Sequence, residues 1–138
     1  MFKTIMMILM MMAFAAPAQA GSLSYDETME WIKGKVLDVR VPSKLASDAY
    51  RTITHFSYDR YGSMSWTLYY VGYNDDGTIA YEKTRQHKGS VSHCSVHSGI
   101  SADTVWTSDD KLLVSSRALG KRICKAMEHA ASLVSEPF

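Results

Sequence analysis

The chain has 138 residues, 15 Lys+Arg against 14 Asp+Glu, and a formal net charge of +1 at pH 7. Such a length accommodates one domain, and a balance so near neutral excludes the basic footprint that nucleic-acid binders use to neutralise phosphates. Hydrophobic residues make up 46%, but they are unevenly spread: six of the nine methionines lie in the first 20 residues.

Lys3 is followed by an unbroken apolar run from Ile5 to Ala15, then Pro17 and the triplet Ala18-Gln19-Ala20. Charge, short apolar core, helix breaker and A-x-A form the pattern of a cleavable secretory signal, with cleavage expected before Gly21. A membrane anchor is the competing reading. Eleven to fourteen apolar residues rise only about 16–21 Å as a helix, short of the roughly 30 Å hydrocarbon core. The expectation is therefore a signal over residues 1–20 and one mature domain over 21–138, periplasmic or secreted, without stable membrane insertion. Losing Lys3 leaves 14 basic against 14 acidic groups, and all eight tyrosines and three tryptophans stay in the mature part.

Cys94 and Cys124 are the two cysteines. In an oxidising compartment an isolated pair reads as a disulfide. Closing a loop of about 30 residues stabilises a fold by about 3–4 kcal/mol on the chain-entropy model. The rival is a reactive thiol, but no C-x-x-C occurs and neither cysteine opens a helix, where its pKa would fall.

The first element is a helix over Tyr25–Leu37. Ser24 and Glu27 have capping-box spacing, Asp26 and Glu27 suit the positive end of the helix dipole, and Tyr25, Met29, Ile32 and Val36 draw one apolar stripe. Pro42 prevents continuation. From Tyr50 to about Ser116 the pattern alternates. Tyr50, Thr52, Thr54, Phe56 and Tyr58 share one side of a first strand, and Met64, Trp66, Leu68 and Tyr70 line the inner face of the second. Asn74-Asp75-Asp76-Gly77 marks a hairpin. A third strand spans Ile79–Gln86, with a turn at Lys88-Gly89 into a fourth over Val91–Val96. Two short strands follow, around Thr104–Thr107 and Leu112–Ser115. Connections this short demand antiparallel neighbours. Finally Leu119, Ile123, Ala126, Met127, Ala130, Leu133 and Val134 form one stripe of a closing helix. The fold class is α+β: an N-terminal helix, an antiparallel sheet of five or six strands with strong curling as a variant, and a C-terminal helix packed on it.

His87, His93, Cys94 and His97 are the densest metal-capable run. On a strand, His93 and His97 lie about 13 Å apart, too far to share an ion that needs nitrogen ligands at about 2 Å. The expectation is no metal site, with His87, His93 and His97 as solvent-facing histidines on one sheet face and the only candidates for a transition metal. No G-x-S-x-G elbow or H-E-x-x-H helix announces a hydrolase, and no cofactor motif occurs. The acid pairs Asp75-Asp76 and Asp109-Asp110 read as solvated turn formers.

Seven aromatic residues lie between Tyr58 and Tyr81, and alternation cannot bury them all. Tyr69 and Tyr73 face opposite to Trp66 and Tyr70, which leaves them as candidate binding residues; exposed tyrosine suits protein interfaces and glycans. The leading reading is an exported, non-enzymatic binding or accessory module for an unidentified envelope or extracellular protein or glycan. The alternatives are a small periplasmic hydrolase, which requires a cleft where a histidine meets a carboxylate or serine, and a metal-handling protein.

Overall fold

Ser24 accepts a hydrogen bond from the Glu27 backbone N–H at 3.2 Å, and this cap opens the first helix, α1 (Tyr25–Leu37). A computed structural model describes residues 23–43, 48–100 and 102–134; the expected signal segment lies outside them. The α1 stripe of Met29, Ile32 and Val36 is fully buried, joined by Thr28, whose hydroxyl donates to the Ser24 carbonyl at 2.7 Å. After α1 the chain forms a short strand, β1 (Arg40–Pro42), which no pattern in the sequence announces. Proline is tolerated there because β1 is an edge strand.

Three longer strands follow: β2 (Ala49–Tyr58), β3 (Ser63–Tyr73) and β4 (Ile79–Ser90). They form an antiparallel sheet in the order β1-β2-β3-β4. The hairpin at Asn74–Gly77 forms as expected, with Gly77 at φ +85°. β2 departs from simple alternation. His55 adopts φ +53°, and the pairing runs from Thr54↔Thr67 to Ser57↔Ser65, so β2 spends one extra residue. This bulge reverses the parity of the strand. Ile53 and Phe56 are consequently both buried, whereas Thr52 and Thr54, expected on the side of Phe56, are not.

The expected turn at Lys88-Gly89 is absent. β4 runs straight through it, pairing Met64 with Gly89 and Ser63 with Ser90. Gly89 serves close approach instead: a Cβ there would lie 2.2 Å from Thr107 Oγ1, so a bare backbone lets the next sheet settle against β4.

That next sheet holds β5 (Ser95–Ser98), β6 (Asp103–Trp106) and β7 (Lys111–Val114), antiparallel in that order. The strands therefore divide into sheets of four and three, where five or six strands of one sheet were expected. The physical reason lies at Val91–Cys94, where the chain leaves β4 for a turn and loop before β5 begins.

The closing helix, α2 (Arg117–Val134), buries Gly120, Ile123, Ala126, Met127 and Ala130. Leu133, placed on the stripe by its spacing, is 49% exposed near the helix end. α2 packs on α1 and on the three-stranded sheet. Cys94 and Cys124 are bonded, tying the loop before β5 to α2. One apolar cluster runs through both helices and both sheets. Among the described residues no helix is long and apolar enough to cross a membrane.

Candidate functional site

Residues paired across an antiparallel sheet share a face, and this rule builds the site. On β3, Trp66, Leu68 and Tyr70 point the same way. Their partners are His87 opposite Trp66, Arg85 opposite Leu68, and Arg51 opposite Tyr70. The face thus changes character along its length, from apolar at Met64 and Trp66 to aromatic and cationic at Tyr70, Arg51 and Arg85.

In the three-stranded sheet, Val96, Val105 and Val114 lie near Gly120 of α2. The opposite face carries His97, Thr104 and Leu113 in one row and Ser95, Trp106 and Lys111 in the next. This face turns toward the cationic end of the larger sheet. Between them opens a cleft of about 560 Å³, within the range of about 300–1,000 Å³ typical of small-molecule sites. One wall is Arg51, Leu68, Tyr70, Arg85 and His87; the other is His97, Thr104, Trp106, Lys111 and Leu113, with Asp110 also lining the space.

The sheets meet at His87. Its ring lies at 5.8 Å and 6° on Trp66, which stacks in turn on Phe56 at 6.4 Å and 18°. The β2 bulge is what brings Phe56 into this row. His87 Nδ1 is hydrogen-bonded to Asp110 Oδ2 from the β6–β7 turn. Asp110 Oδ1 accepts from the Lys111 N–H at 2.9 Å, and its carbonyl accepts from Thr107 Oγ1 at 2.9 Å. His87 is only 8% exposed, and its Nε2 is buried without a hydrogen-bond partner. The expectation of a solvent-facing His87 is corrected: it completes an aromatic row, and burial on that row requires the Asp110 carboxylate to hold its ring. Asp110 is likewise more than a solvated turn former.

Trp106, 39% exposed, stands between two neighbours on adjacent strands. The His97 ring centroid lies 4.3 Å away, and Lys111 Nζ lies 4.2 Å over the indole. Its Nε1–H donates to Thr104 Oγ1 at 3.0 Å. These contacts fix the indole as a rigid part of the wall. His97 Nε2 also lies 3.0 Å from Ser95 Oγ.

The three candidate metal ligands do not converge. His87 faces inward from β4, His93 is exposed in the loop before β5, and His97 lies on β5 opposite Thr104. His93, expected within a fourth strand over Val91–Val96, is in no strand, because β4 runs through Gly89 to Ser90 and the chain turns only at Val91. Cys94 is committed to its disulfide and offers no thiolate. Among the described residues no group of three or more His, Cys, Asp or Glu side chains is placed to hold a metal.

Tyr69 and Tyr73 lie on the other face of the larger sheet, both half-buried. Tyr69 donates its hydroxyl to Glu82, and this carboxylate beside it raises the phenol pKa above 10.0. Tyr73 packs edge-on to Tyr50 at 6.5 Å. Both have intramolecular work.

Sequence reasoning missed Arg51, Arg85, Trp106 and Lys111 as neighbours in one site. Alternation places Trp66, Leu68 and Tyr70 on one face, but the facing of a second sheet has no local signal. No family model, no curated protein and no solved structure matches the chain.

Proposed function

We propose that the protein is an exported binding module whose ligand seats in the cleft between the two sheets. The observation that carries this reading is the cleft itself, a ligand-sized space with aromatic and charged side chains on both walls. Export is supported by the charge, apolar run and A-x-A of residues 1–20 and by the disulfide, which persists in oxidising compartments. Binding is favoured over catalysis at His87. A general base must reach the proton it removes, whereas His87 Nε2 is buried and Nδ1 is engaged by Asp110. The aromatic surface in use is that of Tyr70 and Trp106 rather than that of Tyr69 and Tyr73.

Saturation-transfer NMR with a mixture of small polar metabolites tests this. Ala102 lines the cleft, so Ala102→Trp should abolish the hits seen with wild type. A Tyr69→Ala/Tyr73→Ala double variant should retain them. Hits that survive Ala102→Trp and vanish in the tyrosine variant move the site to the outer sheet face.

A second reading, a small hydrolase, is favoured by one observation: Ser95 Oγ lies 3.0 Å from His97 Nε2, the contact a serine nucleophile needs with its base. Among the described residues no carboxylate orients His97. Turnover of p-nitrophenyl acetate that is lost in Ser95→Ala would favour the hydrolase; turnover unchanged by that substitution would count against it.

A further inference from the structure

The charges in the cleft are lopsided. Arg51, Arg85 and Lys111 line it with permanent positive charge, against the single carboxylate of Asp110. Asp110 is also occupied, one oxygen by His87 and the other by the Lys111 N–H. Arg51 and Arg85 flank β3 on opposite sides, offset by two residues. Neighbouring strands about 4.8 Å apart and a rise of about 3.4 Å per residue put their Cα atoms about 12 Å apart. Two arginines at that separation reach a single anionic group lying over β3. Guanidinium is also the side chain best matched to carboxylate or phosphate, through paired parallel N–H donors.

The remaining lining is not what an inorganic ion requires. Leu68 and Tyr70 lie beside the arginines, and Leu113 and Trp106 face them from the other sheet. The two leucines are each only 6% exposed, so a lone phosphate, filling a small part of 560 Å³, would leave mainly the Tyr70 and Trp106 rings in water. A ring attached to the anion would cover them. The indole of Trp106, held by His97, Lys111 and Thr104, presents an ordered surface for it.

The geometry points to a small ring-bearing organic anion, carboxylate or phosphate, as the ligand of this cleft. Its charged group lies between Arg51 and Arg85, and its ring packs toward Tyr70 and Trp106. This inference rests on the cleft being the binding site, and its test separates the two.

The probes are benzoate, glucuronate and glucose 6-phosphate, with benzamide and glucose as neutral counterparts. Each is titrated at millimolar concentration into the disulfide-bonded protein while the Trp106 indole N–H is followed by NMR. At least one anion should shift that resonance with saturation, and its neutral counterpart should not. Benzoate alone responding identifies an aromatic acid, glucuronate or the sugar phosphate an acidic saccharide. Arg85 is exposed, so Arg85→Gln should leave the fold intact and weaken the responding anion by about ten- to a hundredfold. Raising salt should weaken it as well. Benzamide or glucose binding as tightly as its anion, with Ala102→Trp abolishing both, would keep the cleft and overturn the anion. Equal affinity of wild type and Arg85→Gln would overturn it too, as would no response to any of the three anions.

Discussion

The two faces of the β5–β7 sheet are built from the same three short strands and behave as different materials. The face toward α2 carries Val96, Val105 and Val114 so near the helix that position 120 is glycine. The other carries His97, Thr104, Trp106 and Lys111, which stay open, and it meets the larger sheet at Gly89–Thr107, at His87–Asp110 and where β7, with its buried Leu113, contacts β2. The difference teaches how a small domain makes a site mainly from strand faces, with Gly99, Ala102 and Asp110 of the connecting segments adding to the lining. One face of a sheet is spent on the core, and the other leaves its polar and aromatic residues apart from the neighbouring sheet while Leu113 joins the core. Substitutions on the α2 side should therefore change stability, and those on the cleft side should change binding.

The largest expected effect breaks the α2 side. Replacing both Cys94 and Cys124 with Ser removes the link between the β5 approach and α2, and urea unfolding should show a loss of about 3–4 kcal/mol. Gly120→Leu comes next. Even a Cβ at that position would lie 2.9 Å from Val96 Cγ1 and 3.4 Å from Val105 Cγ2, so overpacking should destabilise by about 1–3 kcal/mol in the same assay. On the cleft side, Trp106→Ala removes a side chain that is 39% exposed and should cost about 1 kcal/mol, while abolishing the saturation-transfer hits. A large loss of stability from Trp106→Ala would erase the distinction between the faces.

The smallest effect concerns pH and lies outside the compared sheet, which makes it a control. Tyr58 donates its hydroxyl to Glu30 Oε1 at 2.8 Å. Burial first, and then the Glu30 carboxylate, push its phenol from 10.0 up to about 12. The folded state therefore holds that proton more tightly than the unfolded chain. Its contribution is fully present below pH 10 and is lost as pH rises from 10 toward 12. Tyr25 is raised in the same direction, chiefly by burial. Thermal melts across this window should show falling stability, and Tyr58→Phe should flatten the slope; an unchanged slope would assign it to other groups.

Some of this architecture is readable from neighbours in the chain. α1 announces itself through Ser24, the acidic first turn and the Met29-Ile32-Val36 spacing, all of which act within one or two helical turns. The Asn74–Gly77 hairpin is equally local, since Gly77 supplies the positive φ that the turn requires. Lys88-Gly89 shows where such reading fails. Glycine is needed in turns and also where backbones approach closely, and only the position of Thr107 tells which. His55 is a similar case: nothing in its flanking residues signals that β2 takes a bulge there, yet the bulge decides that Phe56 reaches Trp66.

The candidate site divides the same way. His87 and Asp110 each stand out in the sequence, one in a metal-capable run and one in an acid pair. Their contact spans 23 residues and two sheets. Arg51 and Arg85 belong to strands on either side of β3, and Trp106 and Lys111 to the facing sheet.

By itself, then, the sequence determined the elements whose causes are local: the capped first helix, the amphipathic closing helix, the antiparallel character of the strands and the chemistry available to the cysteines. Tertiary structure alone decided that the strands divide four and three, that Gly89 is a contact rather than a turn, and that three cations and two aromatic side chains share one cleft. The physical reason is range. Capping, periodicity and turn conformation act over a few residues, whereas the facing of two sheets depends on packing between segments far apart in the chain.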